Sequence, residues 1–138
     1  MNKEISLIRS ENLADVSYAY ASKVTADMEL IFLAGSCPLD KCGTVTLIND
    51  YEGQARLCVE NLKEALKECG AGLKNIAYTR VLVSSSDRKD LVKVWDVISD
   101  EFGEHDVPST LFGVSVLGYE NQLVEIEAVA AIARKFSK

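Results

Sequence analysis

Residues 49–70, NDYEGQARLCVENLKEALKECG, carry one hydrophobic period throughout. Ala55, Cys58, Val59, Leu62, Ala65, Leu66 and Cys69 recur at i, i+3, i+4 and i+7, which predicts an amphipathic helix. Asn49 with Glu52 three residues on resembles a capping box, and Gly70 suits the position just past the C-cap. A helix with one apolar stripe needs a layer to cover it, so the flanking segments determine the architecture.

Upstream the period is that of strands and turns. ISLI (5–8) is short and apolar, and SYAYASKV (17–24) alternates Tyr18, Tyr20, Ser22 and Val24 against Ala19, Ala21 and Lys23. LIFLAG (30–35) is a continuous apolar run ending at glycine, the pattern of a strand buried on both faces. PLDKCG (38–43) carries turn chemistry, and TVTLI (44–48) is rich in β-branched residues.

Downstream, TRVLVS (79–84) reads as a strand, and DRKDLVKVWDVISDEFG as a second helix stopped by Gly103. Leu91, Val94, Trp95, Ile98 and Phe102 form its inward stripe. TLFGVSVLG (110–118) and QLVEIEAVAAIA (122–133) read as strands joined by the short turn YEN. With no repeat, low-complexity tract or linker, residues 1–138 are read as one domain. The order β-β-β-α-β-α-β-β predicts an α+β layer in which two helices cover one face of a mixed sheet. Strand positions pointing away from the helices are mostly small or apolar, so the second face is expected to meet another subunit.

Composition excludes several function classes. Apolar residues make up 48% and charged residues 26%, an ordinary globular balance. The net charge is −6, and the longest basic cluster, Arg88–Lys89, is flanked by Asp87 and Asp90; this argues against nucleic acid as a partner. No apolar run approaches the ~18 residues of a membrane span, and MNKEISLIRS is no signal peptide, so a cytoplasmic location and no membrane partner are expected. Without a CxxC pair, and with one histidine, the four cysteines are expected to hold neither disulfide nor metal. No nucleotide-binding glycine motif occurs.

Few residues invite chemistry. Glu125 and Glu127 alternate with Val124, Ile126 and Ala128 and so share a strand face, about 6.5–7 Å apart. Paired carboxylates at that spacing suit general acid–base work, although a solvated strand face alternates in the same way. His105 and Asp106 are sequence neighbours whose side chains need not face one another, and Ser109 sits in no nucleophile elbow.

Four segments taken together, LAGSCPLD, GQARLCVENLKEALKECG, TRVLV and PSTLFGVSVLGYENQLVEIEAVA, resemble the Rid family. These are the YjgF-like reactive-intermediate deaminases, also described as endoribonuclease L-PSP-like or translation-inhibitor proteins. The resemblance runs from about residue 17 to 133 and is strongest in the QA…NL helix and the spacing from Pro108 to VEIEAVA. It implies a chorismate-mutase-like fold and a homotrimer whose sheets line a central barrel. It also implies small-molecule clefts at subunit interfaces and hydrolysis of 2-imino or 2-enamino acids to 2-oxo acids and ammonia, with no cofactor.

Carried over by position, the family's cleft tyrosine falls on Tyr20, with Tyr18 as the fallback. Its Ser-Gly pair falls on Ala34-Gly35, a helix asparagine on Trp95, and its water-orienting glutamate on Glu125. Seventeen residues before Glu125 stands Pro108, so the arginine of the family's P-x-R-[ST] motif falls on Thr110 and the next residue is Leu111. The implied cleft is lined by Tyr20, Gly35, Trp95, Thr110, Leu111 and Phe112, with Glu125 as the catalytic candidate. A threonine cannot grip a carboxylate bidentately as a guanidinium does, a loss of roughly 1.5–3 kcal/mol or more. This argues against the standard 2-imino acid deaminase reaction and places the chain with arginine-lacking members. The leading expectation is a trimeric protein binding or transforming a small organic metabolite. The alternatives are an active enamine/imine deaminase with a substituted anion-binding group, a non-catalytic ligand sensor, and, against the acidic balance, a ribonuclease or translation inhibitor.

Overall fold

The computed structural model describes residues 5–134. Its elements are β1 (Ile5–Ile8), β2 (Ala21–Val24), β3 (Met28–Phe32), α1 (Tyr51–Glu68), β4 (Ile76–Ser84), α2 (Arg88–Phe102), β5 (Ser109–Val114) and β6 (Val124–Ala133), with a 3-10 turn at Leu73–Asn75. The order β-β-β-α-β-α-β-β and the α+β class are as the periodicity requires. β1 and β2 form a two-stranded antiparallel ribbon, and the main sheet runs β3-β6-β4-β5. Only β4 and β5 are parallel, and α2 supplies the long crossover such a pair needs.

Several expectations are corrected. The residues 44–48 form no strand: backbone and side chain of Asp40 bond Thr44 and Cys42, a local Asx turn that outcompetes β propensity. Asn49 is not the N-cap, since it sits at φ 59°; Asp50 caps α1, its carboxylate accepting from the Gly53 N–H. The final two strands are no hairpin, because β4 lies between β5 and β6. Cys69 and Ala65, expected on the buried stripe, are exposed, while Leu66 between them is fully buried.

Alternation distributes the strand residues between two faces. Thr79, Val81, Val83, Val124, Ile126, Ala128 and Ala130 are buried beneath the helices, where Ala55, Cys58, Val59, Leu62 and Leu66 of α1 and Val94 and Ile98 of α2 meet them. The opposite face carries Leu30, Phe32, Tyr78, Arg80, Leu82, Thr110, Phe112, Glu125, Glu127 and Val129. Leu30 is 54% and Phe32 74% exposed there, so LIFLAG is covered on one face within a single chain rather than on both.

Candidate functional site

The best-defined polar cluster on the open face forms around Glu125. Beyond Phe32 the chain leaves the β3 ladder and rejoins β6 through the reciprocal Ser36–Ile126 backbone pair. That path draws Gly35 across the Glu125 side chain and sets Cys37 beside it. Glu125 Oε1 accepts from Cys37 Sγ at 3.2 Å and from Gln122 Nε2 at 3.1 Å. A Cβ built on Gly35 would stand 2.2 Å from Oε2, so only glycine admits the carboxylate in this position. Burial, reinforced by the hydrogen bond to Glu125 and by its charge, pushes the Cys37 thiol up to about 11, so it stays protonated as a donor. Gln122, itself buried, is fixed by accepting from the Tyr119 N–H and donating to the Val124 carbonyl.

The QA…NL signature of α1 builds this arrangement from behind. Buried Gln54 donates to the Leu47 and Asn121 carbonyls and accepts from the Leu123 N–H, tying both loops that approach Glu125 to the helix. Asn61 donates to the Cys37 and Leu39 carbonyls, while Ser36 Oγ donates to the Cys58 carbonyl. An open groove lined by Gly35, Cys37, Leu39, Asn61 and Tyr119 runs beside the cluster.

Within one chain the other candidate residues stand apart from Glu125. Thr110 lies on the open face of β5, its Oγ1 3.2 Å from the Tyr78 hydroxyl. Its cross-strand partner is Arg80, whose partner on β6 is Glu127. The Arg80 guanidinium is 5.2 Å from the Phe112 ring centroid and 3.8 Å from Glu127 Oε2. Leu111 points to the helix side and packs on the core, as alternation after Thr110 demands, so it does not line the open face. Trp95 meets Tyr18 edge-on at 6.1 Å and donates from Nε1 to Ser17 Oγ. Tyr18 in turn packs on Tyr20, whose hydroxyl is spent on the Ala14 carbonyl, so Tyr18 is the tyrosine that faces Trp95.

His105 and Asp106 belong to the loop rather than to a dyad. His105 Nε2 donates to the Ile76 carbonyl at 2.7 Å, and Asp106 takes a 2.7 Å ion pair from Arg9. The Ser109 hydroxyl bonds Thr79 and the Val107 carbonyl. All four cysteines are free thiols, and no group of three or more metal-ligating side chains occurs among the described residues. Arg80, Cys37 and Gln122 were not singled out by their sequence patterns. Only an alternation count through IAYTRVLVS could have put Arg80 on the face of Glu125.

A mixed sheet with two helices on one face and an apolar, glutamate-bearing second face defines a chorismate-mutase-like α+β protein. The pattern of the family described as endoribonuclease L-PSP matches residues 11–132, and the chain belongs to that family, the Rid or YjgF-like proteins. A RutC family protein of Pyrococcus abyssi is 34% identical over 113 residues, covering 82% of this chain and 84% of that one. The 3-aminoacrylate deaminase RutC of Acinetobacter baylyi is 26% identical over 132 residues, covering 96% and 100%. Among solved structures, the Rid-family protein YyfB of Yersinia pestis superposes with a TM-score of 0.87 at 22% identity, over 94% of this chain and 100% of that one. No helix among the described residues is long and apolar enough to cross a membrane.

Proposed function

We propose that this chain binds or transforms a small organic metabolite in clefts between the subunits of a homotrimer, with Glu125 orienting or activating water. The observation that carries this reading is the Glu125 carboxylate, aimed by Cys37 and Gln122 across Gly35 on the uncovered sheet face. The exposed Leu30, Phe32 and Tyr78 support a subunit interface over that face, because apolar surface of this kind calls for cover. Assembly of three copies would bring Tyr18, Trp95, Thr110 and Glu125, separate within one chain, toward common clefts.

The deaminase named among the relatives supports hydrolysis as the reaction class. Water adds to the imine carbon while Glu125 takes its proton. The same proton goes to nitrogen, and the carbinolamine collapses to a 2-oxo product and ammonia. Thr110 supplies no positive charge, so either the ligand is less anionic than a 2-imino acid or another cation of this chain holds its carboxylate.

The test is to generate 2-aminoacrylate or 2-iminobutyrate in situ and follow ammonia release. Turnover that falls at least ~100-fold in Glu125→Gln is the expected result. Ligand binding without turnover, unchanged by that substitution, would instead make the protein a sensor. Cleavage of a defined RNA that disappears in Glu125→Ala would make it a nuclease.

A further inference from the structure

We propose that Arg80 is the anion-binding residue of this site, doing from β4 what the family's arginine does from β5, and that the ligand therefore carries a carboxylate. This rests on the reading of the Glu125 face as the ligand site. Arg80 is the only lysine, arginine or histidine in the four strands of the main sheet. It is also the direct cross-strand partner of Thr110, the position at which the guanidinium is missing. Neighbouring strands lie roughly 4.8 Å apart, so the cation has moved sideways by one strand and stayed on the same face and in the same row.

The charge pattern is consistent across that row. Two arginines directly opposite one another would repel, so a cation at Arg80 disfavours a second at Thr110. Threonine is far smaller than arginine at this position, and its hydroxyl shares a 3.2 Å hydrogen bond with that of Tyr78, so the pair keeps one hydroxyl hydrogen for a ligand.

The guanidinium is held in a way that leaves its donors usable. It lies over the Phe112 ring with 5.2 Å to the centroid, a cation–π contact. A cation–π contact occupies no conventional acceptor, so the guanidinium keeps its N–H donors for a carboxylate. The acidic partner on the sheet, Glu127, stands 3.8 Å away, beyond hydrogen-bond length, and both side chains are close to half exposed. An ion pair longer than a hydrogen bond is readily exchanged for a ligand carboxylate. Glu125 occupies the adjacent row, opposite Leu82, on the same face.

The experiment titrates the assembled protein with 2-oxobutyrate, a product-class carboxylate, and with its neutral amide, following both by NMR or calorimetry. Wild type is expected to prefer the acid. Arg80→Met should weaken acid binding roughly 10- to 100-fold while leaving the amide unchanged, which also shows that the site remains folded. Arg80→Lys should recover part of the preference, and Thr110→Arg in the Arg80→Met background should restore it. Acid preference that survives Arg80→Met, or equal weakening of acid and amide, overturns the role of Arg80 while the Glu125 site stands. Failure of wild type to bind either probe or to turn over an imino acid removes the site itself, and the proposal with it.

Discussion

The Glu125 carboxylate occupies the space that a side chain on Gly35 would fill, with Oε2 only 2.2 Å from an ideal Cβ. Backbone hydrogen bonds at Ser36 keep Gly35 from retreating, so the flexible carboxylate must give way. Gly35→Ala is therefore expected to lower ligand binding or turnover at least ~10-fold, with a stability loss below about 1 kcal/mol. Denaturant unfolding measured alongside the functional assay separates the two effects. A large loss of stability with an intact site would contradict this account.

Gln54 should behave in the opposite way. It is fully buried, and its amide satisfies two carbonyls and one N–H on the loops that flank Glu125. Gln54→Ala leaves those groups unpaired, at a cost of roughly 2–4 kcal/mol. Urea unfolding checks the figure, and a change under about 1 kcal/mol would mean that water replaces the amide without penalty.

Cys37 titrates above its ordinary value of 9.0, at about 11, because burial and Glu125 both disfavour the thiolate. The native state thus retains a proton that the unfolded chain releases between those two values. The Cys37 contribution to stability is complete below pH about 9 and is lost as the pH rises through about 11. Stability in Cys37→Ala should decline less steeply over this window than in wild type. At pH 8, mass-mapped alkylation should label the exposed Cys42 and Cys69 well before Cys37.

Arg9 secures the loop that carries Tyr18. Its guanidinium donates to the Val16 and Tyr18 carbonyls and pairs with Asp106. Because the Arg9 and Asp106 side chains are 44% and 40% exposed, Arg9→Ala should cost no more than about 1 kcal/mol. Release of Tyr18 from the sole tryptophan should nevertheless shift Trp95 fluorescence. An unchanged spectrum would show that the loop holds itself.

Phe32 probes assembly. It is 74% exposed on the open sheet face and makes no core contact that a charge would disrupt. Phe32→Asp should convert the proposed trimer to monomer in light scattering while leaving the far-ultraviolet circular dichroism unchanged. A trimer that persists would place the interface elsewhere.

What could be read along the chain were features with a short period or a local cause. The helical spacing of Cys58, Val59, Leu62 and Leu66, the stop at Gly103 and the shared face of Glu125 and Glu127 all follow from geometry within a few residues. Local reading failed where two local preferences competed. At TVTLI the Asp40 carboxylate bonds the backbone and prevents a strand, and at Asn49 a left-handed backbone moves the cap to Asp50.

Strand order and the neighbours of each candidate residue depended on packing between distant segments. Nothing in YEN reveals that β4 lies between β5 and β6, because a connection's length does not determine which edge a strand joins. Resemblance pointed to Glu125 and the absence at Thr110, but only the folded sheet brought Gly35, Cys37 and Gln122 to the carboxylate. The sheet also set Arg80 opposite Thr110, across 30 residues of chain that include α2. The sequence determined which residues alternate and which can bear charge. Tertiary structure determined which of them meet, since hydrogen-bond register between strands is a long-range property that no local pattern contains.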